Sequence, residues 1–439
     1  MLRLSPLLFI GILCHSFAQA QAPGEGRIIP ERPPAPPLSR LALEAHSLSC
    51  FAADPLVLPV SPLQACPRGQ GFRPLTNLHT PHAVFVTLQK NAVNDNSPFV
   101  LGLSRILESE GVELQVMATR EEWTAAGFGG RANTFLVPSR RPVDFWAQDF
   151  MEFGVNGGDA HPAVLALQYR GRYAGNEAAQ LVTDSCAEPI ERLRARDWAA
   201  HSGNQGGNLE MFPGDLTVVG SSMDANMRES IERRGTDRLF VLDTSWLDVG
   251  HVDELVTVLP STTSPCGFML AYASPSRAFE LMRQAPGLSI GAPVPRGLPT
   301  AAEPREPVTP QEVLWDEGFR QNVFIAAKID REIARLKAEL GRHSGCRDIP
   351  LLPLPTLFTG AQRAKALNPN PVNLLALGNL VIIPEQFHSG FERDIEASLS
   401  AHGVRTRWLD DRFYHFQGGG IHCATQALRG CTLGAFPAR

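Results

Sequence analysis

The chain has 439 residues, of which 44% are hydrophobic and 19% are charged, and its formal net charge at pH 7 is -5. These proportions are ordinary for a folded protein and exclude global disorder. The negative charge, without any basic cluster interleaved with aromatic residues, argues against nucleic acid as the main partner. The length allows one large α/β domain or two to three smaller domains.

The first 20 residues are typical of a secretory signal. Arg3 supplies a positive charge, Leu7–Cys14 is an apolar run too short to span a bilayer, and Ala18–Ala20 is a small-residue cleavage site. We expect a proline-rich linker over residues 21–40 and a catalytic domain over residues 41–439. No later segment has a long uncharged apolar run, so we expect a soluble protein that is secreted or periplasmic and does not bind membranes.

The chain has eight cysteines, and removal of the signal with Cys14 leaves an odd number of them. Export places them in an oxidising compartment, where six can form up to three disulfides and one stays free. Two pairings remain open from the sequence. Cys50 and Cys66 are separated by a short loop, and a bond between Cys423 and Cys431 would exclude Cys423 as a nucleophile.

Short apolar runs alternate with helical patterns from residue 83 onwards, which predicts an α/β fold. The predicted strands are Ala83–Leu88, Val112–Met117, Asn133–Val137, Ala163–Leu167, Leu216–Gly220, Arg238–Leu242, Phe268–Ala273, a pair within Leu374–Ile383, and Val404–Leu409. The predicted helices are Pro98–Glu110, Pro189–Ala200, Asp224–Arg234, Pro275–Arg283, 310–341 and Gly390–His402. Residues 286–310 form a Pro- and Ala-rich excursion, and a capping box of Thr309 and Glu312 starts the long helix.

A glycine run precedes a cysteine near the end of the chain, within Gly418–Thr425. A thiolate is a strong nucleophile, and glycines allow the backbone to approach a ligand closely. Cys423 is therefore a candidate nucleophile, with a buried structural thiol or half of a disulfide as the alternatives. His422 is not expected to act on Cys423, because adjacent side chains of an extended segment point in opposite directions.

A second candidate segment is Gly250–Glu254, where His251 and Asp253 share a face if the backbone is extended. A histidine can protonate a leaving amine and then activate water, and a carboxylate beside it can bind a cation. A surface pair is the alternative. The spacing also fits two zinc ligands, but a third ligand at a standard spacing is lacking, so we do not expect zinc.

A third segment, Trp146–Glu152, offers an aromatic ring and carboxylates. Asp149 can hold one side of a guanidinium by paired hydrogen bonds, and Trp146 can stack on its plane unless it is an ordinary core residue. At about 4 Å and an effective dielectric constant of about 20, each carboxylate attracts a cation by roughly 4 kcal/mol. A thiol, a histidine and two carboxylates together suit attack on a cationic carbon such as that of a guanidinium.

A fourth segment, Gly206–Glu210, offers carbonyl and carboxylate oxygens. These oxygens can join those of Gln148 and Glu152 around a hard cation such as Ca²⁺.

These four segments, in this order, resemble the catalytic domain of the peptidylarginine deiminases. The similarity extends over about residues 80–430. It is carried by Trp146–Gly154, Gly207–Glu210, Ser245–Glu254, Val372–Leu374, Leu377–Gly378, Ile383–Pro384 and Tyr414–Thr425.

The resemblance implies a five-bladed pseudosymmetric α/β propeller of the guanidino-group-modifying superfamily. It also implies hydrolysis of peptidyl arginine to citrulline and ammonia through a covalent thiouronium intermediate. In that reaction Cys423 is the nucleophile and His251 the general acid and then base. Asp149 and Asp253 bind the guanidinium, and Trp146 lines the slot.

The resemblance further implies one calcium site. Its ligands would be the side chains of Gln148, Glu152 and Glu210 and the carbonyl groups of Gly206 and Leu209. Phe150 stands where the family has an acid of a second calcium site, so we do not expect that second site. Gln417 replaces an arginine of the nucleophile loop, and Arg170 and Arg172 are the candidates for gripping the main chain of the substrate, with Arg172 preferred.

The expected substrate is arginine in a protein or peptide, and no organic cofactor is expected. Three alternatives stay open. Gly418–Cys423 also looks like the nucleophile loop of agmatine deiminases, which would make a small free guanidine such as agmatine or arginine the substrate. The protein would otherwise be an inactive arginine-binding protein, or an enzyme gated by oxidation of Cys423. The oligomeric state is not predicted.

Overall fold

A computed structural model describes residues 72–156, 161–167, 178–182, 191–194, 202–233, 238–294, 306–315, 317–360 and 363–431. The predicted signal, the linker, the Cys50–Cys66 pairing and the two candidate arginines, Arg170 and Arg172, lie outside these residues. Within them, no helix combines the length and the apolar character that a bilayer-crossing segment needs.

Five small mixed sheets form the framework of the described chain. Sheet 1 contains Phe72–Pro74, Met151–Asn156, His161–Ala166 and Glu191–Arg194, and sheet 2 contains Leu209–Phe212, Leu216–Gly220 and Leu239–Leu242. Sheet 3 contains Val256–Pro260, Phe268–Ser274 and Leu351–Pro355, and sheet 4 contains Leu375–Leu377, Leu380–Pro384 and Arg405–Leu409. Sheet 5 contains Thr425–Arg429, Pro81–Thr87, Glu113–Ala118 and Thr134–Pro138. Phe358–Thr359 and Lys365–Ala366 form a separate two-stranded ribbon.

The five sheets share one topology. In sheet 2, Leu209–Phe212 is antiparallel to Leu216–Gly220, which runs parallel to Leu239–Leu242. The same antiparallel pair followed by a parallel strand recurs in the other four sheets. Each parallel step needs a crossover, and helices supply it. The helices are Ser97–Ser109, Arg120–Ala126, Ala225–Arg233, Pro275–Gln284, Pro310–Trp315, Glu317–Ser344, Ser389–Ala401, Arg412–His415 and Ile421–Ala424, with a helical stretch at 178–182.

Sheet 5 joins the two ends of the described chain. Thr425–Arg429 pairs in antiparallel fashion with Pro81–Thr87. The guanidinium of Arg429 donates hydrogen bonds to the carbonyl oxygens of His79 at 2.7 Å and Ala376 at 3.0 Å. The last strand therefore fixes the C-terminal segment that carries Cys423 against the start of the fold.

The α/β prediction is confirmed, and one predicted helix is wrong. Of Pro189–Ala200, the described part Glu191–Arg194 is a strand, because it pairs in parallel with Ala163–Ala166 at the edge of sheet 1. Its charged sequence favours a helix, but this tertiary pairing overrides the local propensity. The helix expected over 310–341 consists of two helices, Pro310–Trp315 and Glu317–Ser344, and the Thr309–Glu312 capping box is confirmed.

The long helix packs its apolar stripe into the core, as its periodicity predicts. The buried residues of the stripe are Ile325, Ile329, Ile333, Leu336 and Leu340. They belong to a hydrophobic cluster that includes residues of sheets 3 and 4. Full burial of one such side chain contributes roughly 1.5–3 kcal/mol. The helix thus supports two of the sheets whose loops form the site described below.

The cysteines divide into bonded and free ones. Cys266 and Cys346 form a disulfide with a Cα–Cα distance of 5.6 Å. Cys431 is disulfide-bonded, whereas Cys423 carries a free, buried thiol. The alternative pairing of Cys423 with Cys431 is therefore wrong.

Candidate functional site

The segments that immediately precede the first strands of the antiparallel pairs meet in one place. Trp146–Asp149 precedes sheet 1, Gly206–Asn208 precedes sheet 2, His251–Glu254 precedes sheet 3, Asn370–Asn373 precedes the pair of sheet 4, and Gly418–Ala424 precedes sheet 5. Cys423, for example, contacts both Asn373 and Asp253. Residues far apart in the sequence are brought together because each occupies the same position in the repeated topology.

An acidic slot forms where two of these segments meet. His251 Nδ1 lies 4.0 Å from Asp149 Oδ1 and 4.0 Å from Asp253 Oδ1. All three atoms are buried, and none has a hydrogen-bond partner. Unsatisfied buried acceptors are costly, and three that face one another create a place for a cation with several N–H donors. We call Asp149, His251 and Asp253 the acidic slot.

The imidazole of His251 is held in one tautomer. Its Nε2 lies 2.7 Å from the carbonyl oxygen of Ser202, which can only accept, so Nε2 carries the proton and Nδ1 is the free acceptor. Burial lowers the pKa of His251, which favours this neutral form. Glu254 Oε1 accepts hydrogen bonds from the backbone N–H groups of Gly250 and His251 at 3.0 and 2.9 Å. The histidine is thereby both oriented and ready to accept a proton.

Negative charge is crowded in the slot. Burial, followed by the charges of Asp253, Asp144 and Glu254, raises the pKa of Asp149 well above its usual range. The Cys423 thiol lies 3.5 Å from Asp253 Oδ2. Burial and then Asp253 and Asp149 raise the pKa of this thiol as well. A bound cation would reverse both effects, since it favours the charged form of each group.

Two glycines shape the slot by the space they leave. A Cβ atom on Gly207 would lie 2.6 Å from His251 Nδ1 and 2.8 Å from Asp253 Oδ2, between the groups that line the slot. A Cβ atom on Gly419 would lie 2.3 Å from the ring of Trp146. Trp146 therefore lies directly against the nucleophile loop, with its ring centroid 5.5 Å from that of Tyr414.

A second polar cavity, of about 20 Å³, lies on the other side of His422. We call it the rear pocket and define it by Gln148, Glu152, Glu210, His422, Gln426 and Arg429. Glu152 Oε2 accepts from Gln148 Nε2 at 3.0 Å and from Gln426 Nε2 at 3.3 Å. His422 connects the two cavities, because its Nδ1 is 2.9 Å from Asp253 Oδ2 and its Nε2 is 3.5 Å from Glu210 Oε1.

The ionisable groups of the rear pocket are about nine-tenths buried. Burial, and then Glu210, raises the pKa of Glu152 well above its usual range. Burial raises the pKa of Glu210 to about 7, against an opposing effect of His422. Burial also lowers the pKa of Arg429 to about 10. The pocket thus combines two carboxylates with two groups that can carry positive charge.

The rear pocket carries oxygen atoms that could bind a calcium ion. The side chains of Glu152 and Glu210 and the amide oxygen of Gln148 are the hard oxygen donors that Ca²⁺ prefers. Glu210 Oε1 is buried without a hydrogen-bond partner, and the volume suffices for one small occupant. The Gly206 carbonyl accepts the N–H of Leu209, which leaves a second lone pair. Among the described residues no cluster of three or more His, Cys, Asp or Glu side chains is arranged for a metal. The donors therefore fit calcium in type, as a site with amide and carbonyl ligands.

A cavity of about 60 Å³, which we call the mouth, lies beside the segments that carry Asp253 and Cys423. Its lining includes Glu254, Asn370, His415, Phe416 and Gly419. Burial lowers the pKa of His415 to about 4, so this ring is neutral at physiological pH. Part of the Pro- and Ala-rich excursion borders the mouth, where Gly291 and Ala292 line it and Ile290 pairs with Val308.

The structure places most of the predicted site residues together. Asp149, His251, Asp253 and Cys423 surround the slot, Trp146 lies against its loop, and the side chains proposed for calcium share the rear pocket. Sequence reasoning missed Ser202, Gly207 and Asn373. The resemblance covered Gly207 and Asn373 without giving them a role, and nothing in the sequence singles out Ser202, which acts only through its backbone carbonyl.

Known proteins resemble this chain in sequence and in structure. The profile of the protein-arginine deiminase (PAD) family matches residues 205–433. Protein-arginine deiminase type-4 of Mus musculus is 32% identical over 207 residues, which cover 44% of this chain and 29% of that protein. Type-1 of Mus musculus is 31% identical over 332 residues, which cover 68% of this chain and 48% of that protein. The matched part of the chain thus spans less than half the length of these relatives.

Solved structures of agmatine deiminases have a similar fold. The enzyme of C. jejuni gives a TM-score of 0.52 at 15% identity, covering 82% of this chain and 97% of that one. The enzyme of Enterococcus faecalis gives 0.52 at 11% identity, covering 83% and 98%. At these identities the likeness establishes the mixed α/β fold.

Proposed function

Since the chain belongs to the protein-arginine deiminase family, we propose that it hydrolyses arginine residues of proteins or peptides to citrulline and ammonia. One observation carries this proposal. Three buried acceptor atoms without partners, Asp149 Oδ1, His251 Nδ1 and Asp253 Oδ1, face one another beside a free thiol. A guanidinium supplies the N–H donors and the positive charge that this arrangement lacks.

Substrate binding is electrostatic. Asp149 and Asp253 accept hydrogen bonds from the guanidinium nitrogens, and each contributes roughly 4 kcal/mol of attraction at about 4 Å in a medium of effective dielectric constant near 20. Trp146 closes one side of the slot. The bound cation also lowers the pKa of Cys423, so the substrate itself promotes formation of the thiolate.

The reaction then proceeds in two halves. The thiol proton passes to His251, Cys423 Sγ attacks the guanidinium carbon, and the resulting tetrahedral species expels one nitrogen as ammonia with a proton from His251. A thiouronium intermediate remains. His251 next takes a proton from water, which attacks the same carbon, and the C–S bond breaks to return Cys423 as a thiolate. The sum is arginine plus water giving citrulline plus ammonia, which leaves as ammonium.

The five sheets with one shared topology support a five-bladed α/β propeller. In such a ring each blade brings the segment before its first strand to the centre, which accounts for the convergence of five loops. The pairing of Thr425–Arg429 with Pro81–Thr87 would close the ring. In this proposal residues 41–439 form the catalytic domain, and residues 1–20 direct export of the protein to the periplasm or the medium.

Calcium is proposed for the rear pocket. Gln148, Glu152 and Glu210 would hold it with the carbonyl groups of Gly206 and Leu209. A bound Ca²⁺ supplies positive charge next to two buried carboxylates and restrains the segment that carries Asp149. The chemical steps are carried out by the chain's own residues.

The decisive experiment compares citrulline release from a blocked arginine peptide with product release from free arginine and agmatine, in reductant, with calcium and with chelator. Release from the peptide, absent in Cys423→Ser, supports the proposal. Product from the free guanidines alone would assign the protein to the small-molecule deiminases, whose fold it shares. No product from any substrate would leave an arginine-binding protein.

A further inference from the structure

Asn373 occupies the position that sheet 4 contributes to the site. It stands two residues before Leu375–Leu377, as Cys423 stands two residues before Thr425–Arg429 and Asp149 two before Met151–Asn156. Its side chain is buried. Three of the five segments have a role in the proposed reaction and a fourth, Gly206–Asn208, supplies a carbonyl group to the proposed calcium site, whereas this one has no role yet.

The carboxamide of Asn373 contacts Cys423 at two points. Asn373 Nδ2 lies 3.2 Å from Cys423 Sγ, and Asn373 Oδ1 accepts the backbone N–H of Cys423 at 3.2 Å. Nδ2 also lies 3.4 Å from the carbonyl oxygen of Asp253. These partners determine the orientation of the Asn373 carboxamide. The N–H of Cys423 needs an acceptor, which is Oδ1, and the carbonyl of Asp253 needs a donor, which is Nδ2. An N–H group therefore faces the sulfur.

The loop that carries Asn373 is held firmly. The N–H of Asn373 bonds to the carbonyl of Asn370 at 3.1 Å, and Asn370 Nδ2 bonds to the carbonyl of Glu254 at 2.8 Å. The carbonyl of Asn373 accepts the N–H of His422 at 3.1 Å. A Cβ atom on Gly420 would lie 2.8 Å from Asn373 Oδ1, so the glycine permits the close approach.

Burial and then Asp253 and Asp149 raise the pKa of Cys423, whereas the backbone of Gly420 and the side chain of Asn373 lower it. As a thiol, Cys423 can donate to Asp253 Oδ2 at 3.5 Å and accept from Asn373. Once the proton has left, the contact with Asp253 becomes repulsive, while the neutral N–H donor remains favourable. The same donor meets the sulfur again when the C–S bond breaks.

We propose that Asn373 is a further catalytic residue. Its carboxamide N–H holds Cys423 Sγ towards the acidic slot. It also stabilises the sulfur anion, both before the attack and when the C–S bond breaks. This inference rests on the proposed role of Cys423 as the nucleophile. It assigns a role to the side-chain hydrogen-bond donor at a sulfur whose charged neighbours, Asp253 and Asp149, are acids.

The test uses Asn373→Ala and Asn373→Asp in the full-length protein. Aspartate keeps an oxygen for the N–H of Cys423 but replaces the donor beside the sulfur with an acceptor. We expect kcat on the arginine peptide to fall about 10- to 100-fold for alanine and further for aspartate, with KM changed less than about threefold, since a hydrogen bond to a charged group is lost. Alkylation of Cys423 by the uncharged reagent iodoacetamide, followed by peptide mass spectrometry, should slow in the same order.

Asn322→Ala is the matched control. Asn322 makes a similar two-point contact, with the backbone N–H and carbonyl of Phe358 at 2.8 Å each, on the long helix. Its loss should lower the melting temperature but leave kcat and the alkylation rate unchanged. If both Asn373 variants fail to fold, Gly420→Ala tests the same contact, because its methyl group displaces the carboxamide while Asn373 remains.

Wild-type kcat and alkylation in Asn373→Ala, or an Asn373→Asp variant as fast as the wild type, would overturn the proposal. If neither Asn373 variant folds, a Gly420→Ala variant with wild-type kcat and alkylation rate would also overturn the proposal. If the wild type deiminates none of the substrates, the proposed function fails, yet the alkylation rates still decide whether Asn373 acts on the sulfur.

Discussion

The acidic slot and the rear pocket each bury two carboxylates, but the two sites differ in the groups that face these carboxylates. In the slot, Asp149 Oδ1 and Asp253 Oδ1 have no hydrogen-bond partner. In the rear pocket, Glu152 is hydrogen-bonded to Gln148 and Gln426, and Glu210 faces His422 with Arg429 close enough to affect its pKa. His422 faces an acid of each site, but Arg429 lines the rear pocket, whereas the slot keeps two aspartate oxygens for a cation from outside.

This difference separates a binding site from a supporting one. A cation that enters the slot gains the attraction of two acids and satisfies their orphaned oxygens. A cation that enters the rear pocket has to compete with Arg429 and His422. We therefore expect changes in the slot to affect catalysis most strongly, and changes in the rear pocket to affect mainly stability and calcium response.

The largest effect is expected for Asp149→Asn. Loss of one acid removes roughly 4 kcal/mol of attraction for the guanidinium, which lowers kcat/KM on the arginine peptide by about 10³-fold. Steady-state kinetics on the arginine peptide measure this fall in kcat/KM. Asp248→Asn is the control, because Asp248 pairs with Lys365 at 3.2 Å and is partly exposed, and it should stay within about twofold of the wild type. Full activity in Asp149→Asn would remove the slot from the mechanism.

Gly207→Ala should have the next largest effect. The added methyl group would lie 2.6 Å from His251 Nδ1 and fill the space between the slot's groups. We expect kcat/KM to fall about 100-fold through weaker substrate binding. Gly129→Ala is the control, since a Cβ atom there meets nothing within 4 Å. Unchanged kinetics in Gly207→Ala would show that the guanidinium binds elsewhere.

Calcium should act on stability through the rear pocket. At a concentration about 100-fold above its Kd, Ca²⁺ should raise the free energy of unfolding by about 2.7 kcal/mol, and chelator should reverse the change. Glu210→Gln should abolish this response, whereas the exposed Glu229→Gln should retain it. Denaturant unfolding with and without calcium provides the measurement, and a wild type indifferent to calcium would contradict the assignment.

The smallest effect concerns Glu254, a buried carboxyl beside the slot. Burial raises its pKa to about 8 from 4.5, so its contribution to stability is fully present below about pH 4.5 and is lost as the pH rises through 8. Glu254→Gln does not titrate and keeps an oxygen for Gly250 and His251. Between pH 6 and pH 7 the difference in unfolding free energy should shift by about 1.4 kcal/mol in favour of the variant. Urea unfolding at both pH values would show it, and a constant difference would refute it.

The sequence predicted the α/β class and most strands because their apolar runs are buried on both faces, as in Val84–Val86. It also located the slot, because Cys423, His251 and the two acids lie in distinctive segments. The strand Glu191–Arg194 could not be predicted, since its pairing with sheet 1 decides its structure rather than its own residues.

The role of Asn373 illustrates the same limit at the site. An asparagine in a turn is unremarkable in sequence, and its contact with Cys423 bridges 50 positions of the chain. Likewise, the importance of Gly207 is visible only in the structure, where a Cβ atom at this position would lie 2.6 Å from His251 Nδ1. Such residues act through distances between loops, which follow from the arrangement of the sheets.

The pairing of Thr425–Arg429 with Pro81–Thr87 has a consequence for the order in which the protein becomes competent. Contacts such as that between Arg429 and His79 join positions 350 residues apart, and closure over such a distance is slow compared with local folding. The thiol is attached to this closing strand, whereas the two acids and His251 belong to sheets 1 and 3. In the proposed mechanism, a chain whose ends have not yet met would lack the thiol beside the two acids, so deiminase activity would report on completed assembly.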